Sequence, residues 1–483
     1  MSKLIKLLSN KVFLYISSRY VTYVIQFITS IYIAVDLGAY YFGVYGFVLL
    51  LISYLSNLNF GITHSATVLL VQNKNDEKKI KDIVSNSILI ITIISLFVMI
   101  ICLFYNIFQL NYFEKYNIDK YFWFVPIIAI LGHFNVLFLT IYRFKNKLFE
   151  IAFYQSFRPF LVFVSIFLAT EENLLYTALI SYIIGEFISL LLFVLRGEVP
   201  FYLKFSFKKC RELIVKGLHL FTYISTYAMI VISTRTFISY YYSVEDFGFF
   251  TFSYSLGNAV LLFLQAFTFV IMPKVLDKLN SNINSEIILT IENINTNYNT
   301  ISYLLLFVAI TVFPYLLNLF PEWKETLLTL NITMISIIVS SNAYLFSSFL
   351  MAKNKERLLS IISVIILFVN ILFSYIFIVV LNLQLEYTIM SILISYFLFG
   401  LACSYFTYKS LTDYKFSSIF SNFFPTRLLI PFGILLCAII LDIRYATFIS
   451  LFIFLILNIK ELNIIISTTK KIIINSNIIN LHR

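Results

Sequence analysis

The sequence predicts an all-α membrane protein of about fourteen spanning helices. Three observations carry that expectation. Of the 483 residues, 60% are hydrophobic and 12% charged, and a soluble chain of ordinary composition is nearer ~25% charged. Apolar runs of about 20 residues, enough to cross ~30 Å of hydrocarbon, recur along the whole length. The loops between those runs alternate in charge, as the loops of a polytopic protein do. A membrane β-barrel would instead show segments of about 10 residues with alternating polarity.

The expected spans are 11–35, 44–71, 83–108, 121–142, 151–170, 174–195, 213–242, 248–275, 296–320, 326–350, 358–381, 385–408, 426–442 and 445–466. Met1 to Asn10 is basic and runs straight into the first span, with no small-residue cleavage site, so a retained helix is expected. One set of loops holds Lys74, Lys78, Lys79, Lys81, Arg143, Lys145, Lys147, Arg196, Lys208, Lys209, Lys353, Arg357 and Lys409. The opposite set holds mainly acids, among them Asp36, Glu171, Glu172, Glu245, Asp246, Glu322 and Glu325. The few cations there are Lys115, Lys120, Lys324 and Arg444. An even number of spans follows, with both termini cytoplasmic. The net charge of +11 is then a topology signal, and no soluble basic domain is present to bind nucleic acid. Cys102, Cys210, Cys403 and Cys437 show no paired spacing, so neither a disulfide nor a metal site is expected.

The first two spans stand out. They are joined by a tight turn at Asp36-Leu-Gly-Ala-Tyr-Tyr-Phe-Gly43. Around Arg19 lie Tyr15, Ser18, Thr22, Tyr23, Gln26, Thr29 and Ser30, which share one helix face. Such a stripe is costly against lipid, so it is expected to face the bundle interior or a water-filled cavity. Span two repeats the pattern with Ser53, Asn57, Gly61, His64 and Thr67. The run Phe201 to Lys208 is amphipathic and reads as a surface linker between halves.

An internal repeat supports two halves. Glu245-Asp-Phe-Gly-Phe-Phe250 matches Tyr40-Tyr-Phe-Gly-Val-Tyr45, an offset of 205 (248 minus 43). At that offset Lys11 falls on Lys216 and Ser53 on Asn258. The expected architecture is two parallel six-helix lobes plus two C-terminal helices. Their limits are 1–200, 201–410 and 411–483.

These residues resemble a known family. The basic start, Arg19, Gly38-Ala-Tyr-Tyr-Phe-Gly-Val-Tyr-Gly-Phe47, Asn57-Leu-Asn-Phe-Gly61, Phe247-Gly248 and Ile271-Met-Pro-Lys274 are similar to the polysaccharide-repeat-unit flippases of bacteria. Those are of the Wzx type, within the multidrug/oligosaccharidyl-lipid/polysaccharide exporter superfamily. The resemblance implies a transporter that moves undecaprenyl-diphosphate-linked oligosaccharide across the bacterial inner membrane by alternating access. The product would feed O-antigen, capsule or exopolysaccharide synthesis. Membrane lipid and a polymerase of the same pathway are the implied partners.

The candidate residues carry two readings each. Arg19 lies ~12 Å along the helix from Lys11 at 1.5 Å per residue. It either binds a diphosphate or acidic sugar, or snorkels to the inner interface. Gln26, Asn57 and Arg235 join it as candidate substrate-binding residues. Asn258 and Gln265, on one face of span eight, either bind sugar or join helices. Arg158 and Glu186 form either an ion pair or a transport element, and Glu186 is the mid-span carboxylate for proton or sodium coupling. His64 is either a structural hydrogen-bonder or a proton carrier. No catalytic constellation, metal cluster or cofactor motif is found. Two rivals are considered. A membrane glycosyltransferase or polymerase would need a long outer loop with catalytic charges, which is missing. A cation-coupled drug antiporter would favour acids in the spans, where Arg19, Arg158 and Arg235 outnumber Glu186.

Overall fold

The computed structural model describes residues 11–108, 111–199, 205–279, 283–412 and 414–474, and the described elements are helical throughout. The basic start Met1 to Asn10 and part of the linker, 200–204, lie outside the described residues. So do the side chains of Lys11, Gln265 and Ile271 to Lys274. The chain forms two compact units, one of Tyr15–Phe252 and one taking Ser253 onward.

The first unit begins at Tyr15, within α1 (Lys11–Ser56). It is two helices merged across Gly38, whose φ of 67° and ψ of 172° lie in a region open to glycine alone. The expected turn at 36–43 therefore shrinks to one residue. Val21, Val24, Ile28 and Tyr32 form an exposed apolar face, while Tyr15, Thr22, Tyr23 and Thr29 are buried. The polar stripe faces inward and its opposite face suits lipid.

Span two is not one uninterrupted helix, as the sequence reading has it over 44–71. A 3-10 turn at Asn57–Asn59 and left-handed Phe60 and Gly61 break it before α2 (Ile62–Gln72). The break frees backbone groups, and neighbours take them up. His133 Nε2 donates to the Leu55 carbonyl at 3.0 Å, and the Gly61 amide donates to Asn59 Oδ1 at 2.9 Å. Then follow α3 (Glu77–Ile107), α4 (Phe124–Phe144), α5 (Leu148–Leu168) and α6 (Leu174–Leu195). At the basic end of α4–α6, Lys147 and Lys145 each reach Glu198 at 3.0 Å. Their hydrogen bonds hold its carboxyl below the usual range.

α7 (Phe207–Tyr241) packs on these helices. Asn86 of α3 accepts from the Ser206 amide at 2.9 Å and so anchors the start of α7. At the other end, Lys115 donates to the carbonyls of Ser239 (2.9 Å), Tyr240 (3.2 Å) and Tyr242. A cation there satisfies the last orphan carbonyls of the helix. Arg235 donates to the Gly46 carbonyl at 3.0 Å.

The internal repeat becomes physical where α8 (Val244–Leu279) begins. A Cβ built on Gly43 would overlap the Val244 carbonyl, and one on Gly248 would overlap the Ala39 carbonyl. Both 248 minus 43 and 244 minus 39 are 205, so each contact is the image of the other under the repeat. The ring pairs obey the same rule. Phe42–Phe252 has centroids 6.3 Å apart at 77°, and its image Phe47–Phe247 has 6.4 Å at 75°. Gly46 faces its own counterpart, Thr251. The two copies of the motif therefore meet about a local pseudo-two-fold.

The second unit continues with α9 (Asn284–Leu317), α10 (Leu327–Ser341), α11 (Tyr344–Ala352), α12 (Glu356–Tyr375) and α13 (Met390–Lys409). Then come α14 (Phe416–Phe423), α15 (Thr426–Ile440), α16 (Arg444–Leu457) and α17 (Ile459–Ile474). Trp323, Tyr303, Phe307, Phe346 and Phe349 fill its core. Polar pairs join its helices: Asn342 to Tyr303 (2.9 Å), Ser395 to Asn370 (3.1 Å) and Ser374 to Ser391 (3.0 Å).

Among the described residues, ten helices are long and apolar enough to cross a membrane, or twelve if each bent pair is one span. The expectation was fourteen. The difference lies at identifiable places. Ser17–Gln72 counts once, although its 56 residues would run ~84 Å as straight helix and it folds at Gly38. Helix α8 is not among the ten. The two pairs α14–α15 and α16–α17 are each bent by 66°.

Candidate functional site

A small polar cavity of about 80 Å³ lies in the first unit. Arg19, Gln26, Asn135, Gln155, Arg158, Glu186 and Ser189 line it. Four helices supply them: α1, α4, α5 and α6. Glycine sets the spacing of two of these. A Cβ on Gly185 would overlap the Arg158 backbone, so α6 and α5 touch there and the next residue, Glu186, meets Arg158.

Arg158 Nη1 donates to Glu186 Oε1 at 2.9 Å and to the Tyr182 hydroxyl at 3.2 Å. Asn135 Nδ2 donates to the Glu186 carbonyl at 2.9 Å and also to its carboxylate. The pair is neutral overall and sits among amides. Arg19 is held differently. Its Nη1 donates to Gln155 Oε1 at 3.1 Å, and its Nη2 and Nε reach the Tyr23 hydroxyl at 3.1 and 3.3 Å. Its guanidinium lies 5.0 Å from the Tyr23 ring centre. Among the described residues no carboxylate pairs with it. The cavity therefore carries one uncompensated positive charge inside a spanning helix, where an unpaired cation is expensive.

The cavity brings together Arg19, Gln26, Arg158 and Glu186, and four of the other five candidates lie elsewhere. Arg235 is buried against Gly46 and lies 5.7 Å from the Phe247 ring centre, at the meeting of the repeats. Asn57 bonds back to the Ser53 carbonyl at 2.9 Å, in the break of span two. His64 is half-buried on α2, away from the cavity lining. Asn258 is half-buried in the second unit. The Gln265 side chain lies outside the described residues. The sequence reading passes over Asn135, Gln155 and Ser189. Gln155 sits three residues before Arg158 and Ser189 three after Glu186, so helical spacing is the signal available for those two.

A larger cavity of about 480 Å³ in the same unit is mostly apolar. Phe47, Leu51, Ile101 and Tyr105 form part of its wall, with Lys115 also lining it. Among the described residues, no group of three or more His, Cys, Asp or Glu could hold a metal ion.

The fold, with its long apolar helices, defines a multi-pass membrane protein. The profile of the family described as "Polysaccharide biosynthesis protein" matches residues 8–276, more than half of the chain, and the chain belongs to that family. No curated protein matches it by sequence. Among solved structures, it shares its fold with lipid II flippase MurJ in the inward closed conformation. The TM-score is 0.68 at 13% identity, covering 94% of this chain and 99% of that one. It also shares the fold of an inward-facing MATE multidrug resistance transporter of the MOP superfamily. There the TM-score is 0.58 at 12% identity, covering 86% and 99%. A MATE protein in complex with MaD3S gives 0.57 at 14% identity, covering 87% and 99%.

Proposed function

We propose that this protein flips undecaprenyl-diphosphate-linked oligosaccharide units from the cytoplasmic to the outer leaflet of a bacterial inner membrane. It does so as a transporter, not an enzyme, during synthesis of a surface polysaccharide such as O-antigen or capsule. The observation that carries the reading is Arg19: a guanidinium within a spanning helix, lining a polar cavity, held among the described residues by a tyrosine hydroxyl and a glutamine and by no carboxylate. A planar fork of donors matches diphosphate oxygens in a way an ammonium does not. Membership of a polysaccharide biosynthesis family and a fold shared with a lipid II flippase support the same reading.

The cavity of about 80 Å³ is far below the ~300–1,000 Å³ usual for small-ligand sites. A diphosphate enters by displacing Tyr23 or Gln155 from Arg19 and widening the space, while the lipid tail stays in the bilayer. The two repeat halves, 1–200 and 201–410, then change their opening from one leaflet to the other, with both termini cytoplasmic. Glu186 is the carboxylate placed to couple that change to a proton or sodium ion. A polymerase of the same pathway receives the product.

Reconstitution tests this directly. Proteoliposomes carrying a fluorescent undecaprenyl-diphosphate oligosaccharide should show flipping with the wild-type protein. Arg19→Ala, inserted at equal amount, should fall to the protein-free background. Arg19→Lys should keep part of the rate, because charge remains and the fork is lost. A wild-type rate in Arg19→Ala would return Arg19 to a snorkelling role.

A further inference from the structure

The second unit holds a cavity of about 450 Å³, within the ~300–1,000 Å³ usual for small-ligand sites. It is built by the end of α9, the 3-10 turn Pro321–Thr326, the start of α10 and the junction of α15 with α16. The loop charges put these helix ends on the outer side. Cations are scarce there, yet two of the four, Lys324 and Arg444, line this one cavity. Glu325 and Asp442 line it too. None of these four side chains makes an ion pair or hydrogen bond within the described residues.

A fifth residue narrows the ligand. Asn331 on α10 is 7% exposed, lines the cavity, and its amide oxygen has no hydrogen-bond partner. A buried acceptor left unmet calls for a donor. A fully ionised phosphate ester, a sulfate or a carboxylate offers acceptors only, so it leaves the Asn331 oxygen unmet. A sugar hydroxyl offers both. It can donate to Asn331, Glu325 and Asp442, accept from Lys324 and Arg444, and match a set of charges that sums to zero. Tyr315 and Phe448 complete the wall. They are 61% and 44% exposed and meet edge to face, with centroids 6.4 Å apart. Exposed ring surface of this kind suits the C–H face of a pyranose.

We propose that this cavity is a saccharide-binding site that takes one sugar ring of a glycan at the outer ends of α9, α10, α15 and α16. The site shares no residue with the Arg19 cavity and does not rest on the flippase reading.

Saturation-transfer difference NMR on the full-length protein in lipid nanodiscs tests it. The probes are glucose, galactose, N-acetylglucosamine, N-acetylgalactosamine and glucuronate, with sulfate as the acceptor-only competitor. At least one sugar should receive saturation, and millimolar sulfate should not displace it. Arg444→Gln and Glu325→Gln alter exposed side chains and should leave the melting temperature unchanged. Each should weaken sugar binding about tenfold, the effect of one lost charge-assisted hydrogen bond. Arg19→Ala should leave the transfer intact, so failure of flipping and failure of this site are read separately. The proposal is overturned by no transfer to any probe, by displacement with sulfate, or by wild-type binding in both variants.

Discussion

Arg158 and Glu186 show how two charges in a spanning bundle are kept apart from a third. Glu186 is engaged by Arg158 and Asn135 together, so its carboxylate is spoken for, and Arg19 in the same cavity keeps neutral partners. Glu186→Gln should therefore strand Arg158 without a counter-ion. The expected cost is about 1–3 kcal/mol, below the ~3–5 of a fully buried pair, because the Arg158 side chain is 39% exposed. Replacing both partners, Arg158→Met with Glu186→Met, should recover most of that loss in a thermal melt in detergent. Recovery of stability with export intact would assign the pair to scaffolding. Recovery of stability with export abolished would assign it to transport. The charged members of this cluster were legible in the sequence because a charge in an apolar run is conspicuous. Of their amide and hydroxyl neighbours, Tyr23 and Gln26 were marked by the stripe, while Asn135, Gln155 and Ser189 were not. The sequence also overstated the stripe around Arg19: Thr22 and Thr29 return their hydroxyls to the Ser18 and Ile25 carbonyls at 2.9 and 2.7 Å. Periodicity locates a polar face, but it does not say whether that face is satisfied by its own helix.

The contact between the two copies of the glycine motif is a packing feature of whole elements. Backbone meets backbone at Gly43 and Gly248, so no rotamer change can relieve an added methyl. Gly43→Ala and Gly248→Ala should each destabilise the protein by about 1–3 kcal/mol, as overpacking does. The double variant should cost less than the sum, since the first methyl already separates the helices for the second. Gly433→Ala is the matched control: it lies inside α15 and a Cβ there meets nothing within 4 Å. It should be neutral or stabilising by ~0.5–1 kcal/mol, because only helix propensity changes. A melt in which all three behave alike would remove the close approach as the reason for these glycines. The repeat offset was readable because glycine and phenylalanine mark its two copies. The break of span two was not, because Asn57 to Gly61 lies within an apolar stretch of spanning length, and the acceptor that lets it break, by bonding His133, is a backbone carbonyl.

At the scale of the whole molecule, the question is whether the ends of the two repeats part during transport. The Gly248 position lies against the Ala39 carbonyl, the Lys115 loop is tied to the last carbonyls of α7, and Arg235 is tied to Gly46. These contacts hold the two copies of the motif together at the end that carries Asp36, Glu245 and Asp246. Alternating access requires that end to open, and opening must break the Gly43–Val244 and Gly248–Ala39 contacts together, because one is the image of the other. Cysteines at Ala39 and Asp246, in a background lacking Cys102, Cys210, Cys403 and Cys437, should therefore crosslink readily in the resting protein. The crosslink should stop flipping, and reduction should restore it. Lys115→Met should act in the opposite sense. It frees the end of α7, so the open form should be more populated and the same cysteine pair should crosslink more slowly. Complete crosslinking with an unchanged flipping rate would show that this end stays shut throughout the cycle, and the substrate would then have to leave by another route.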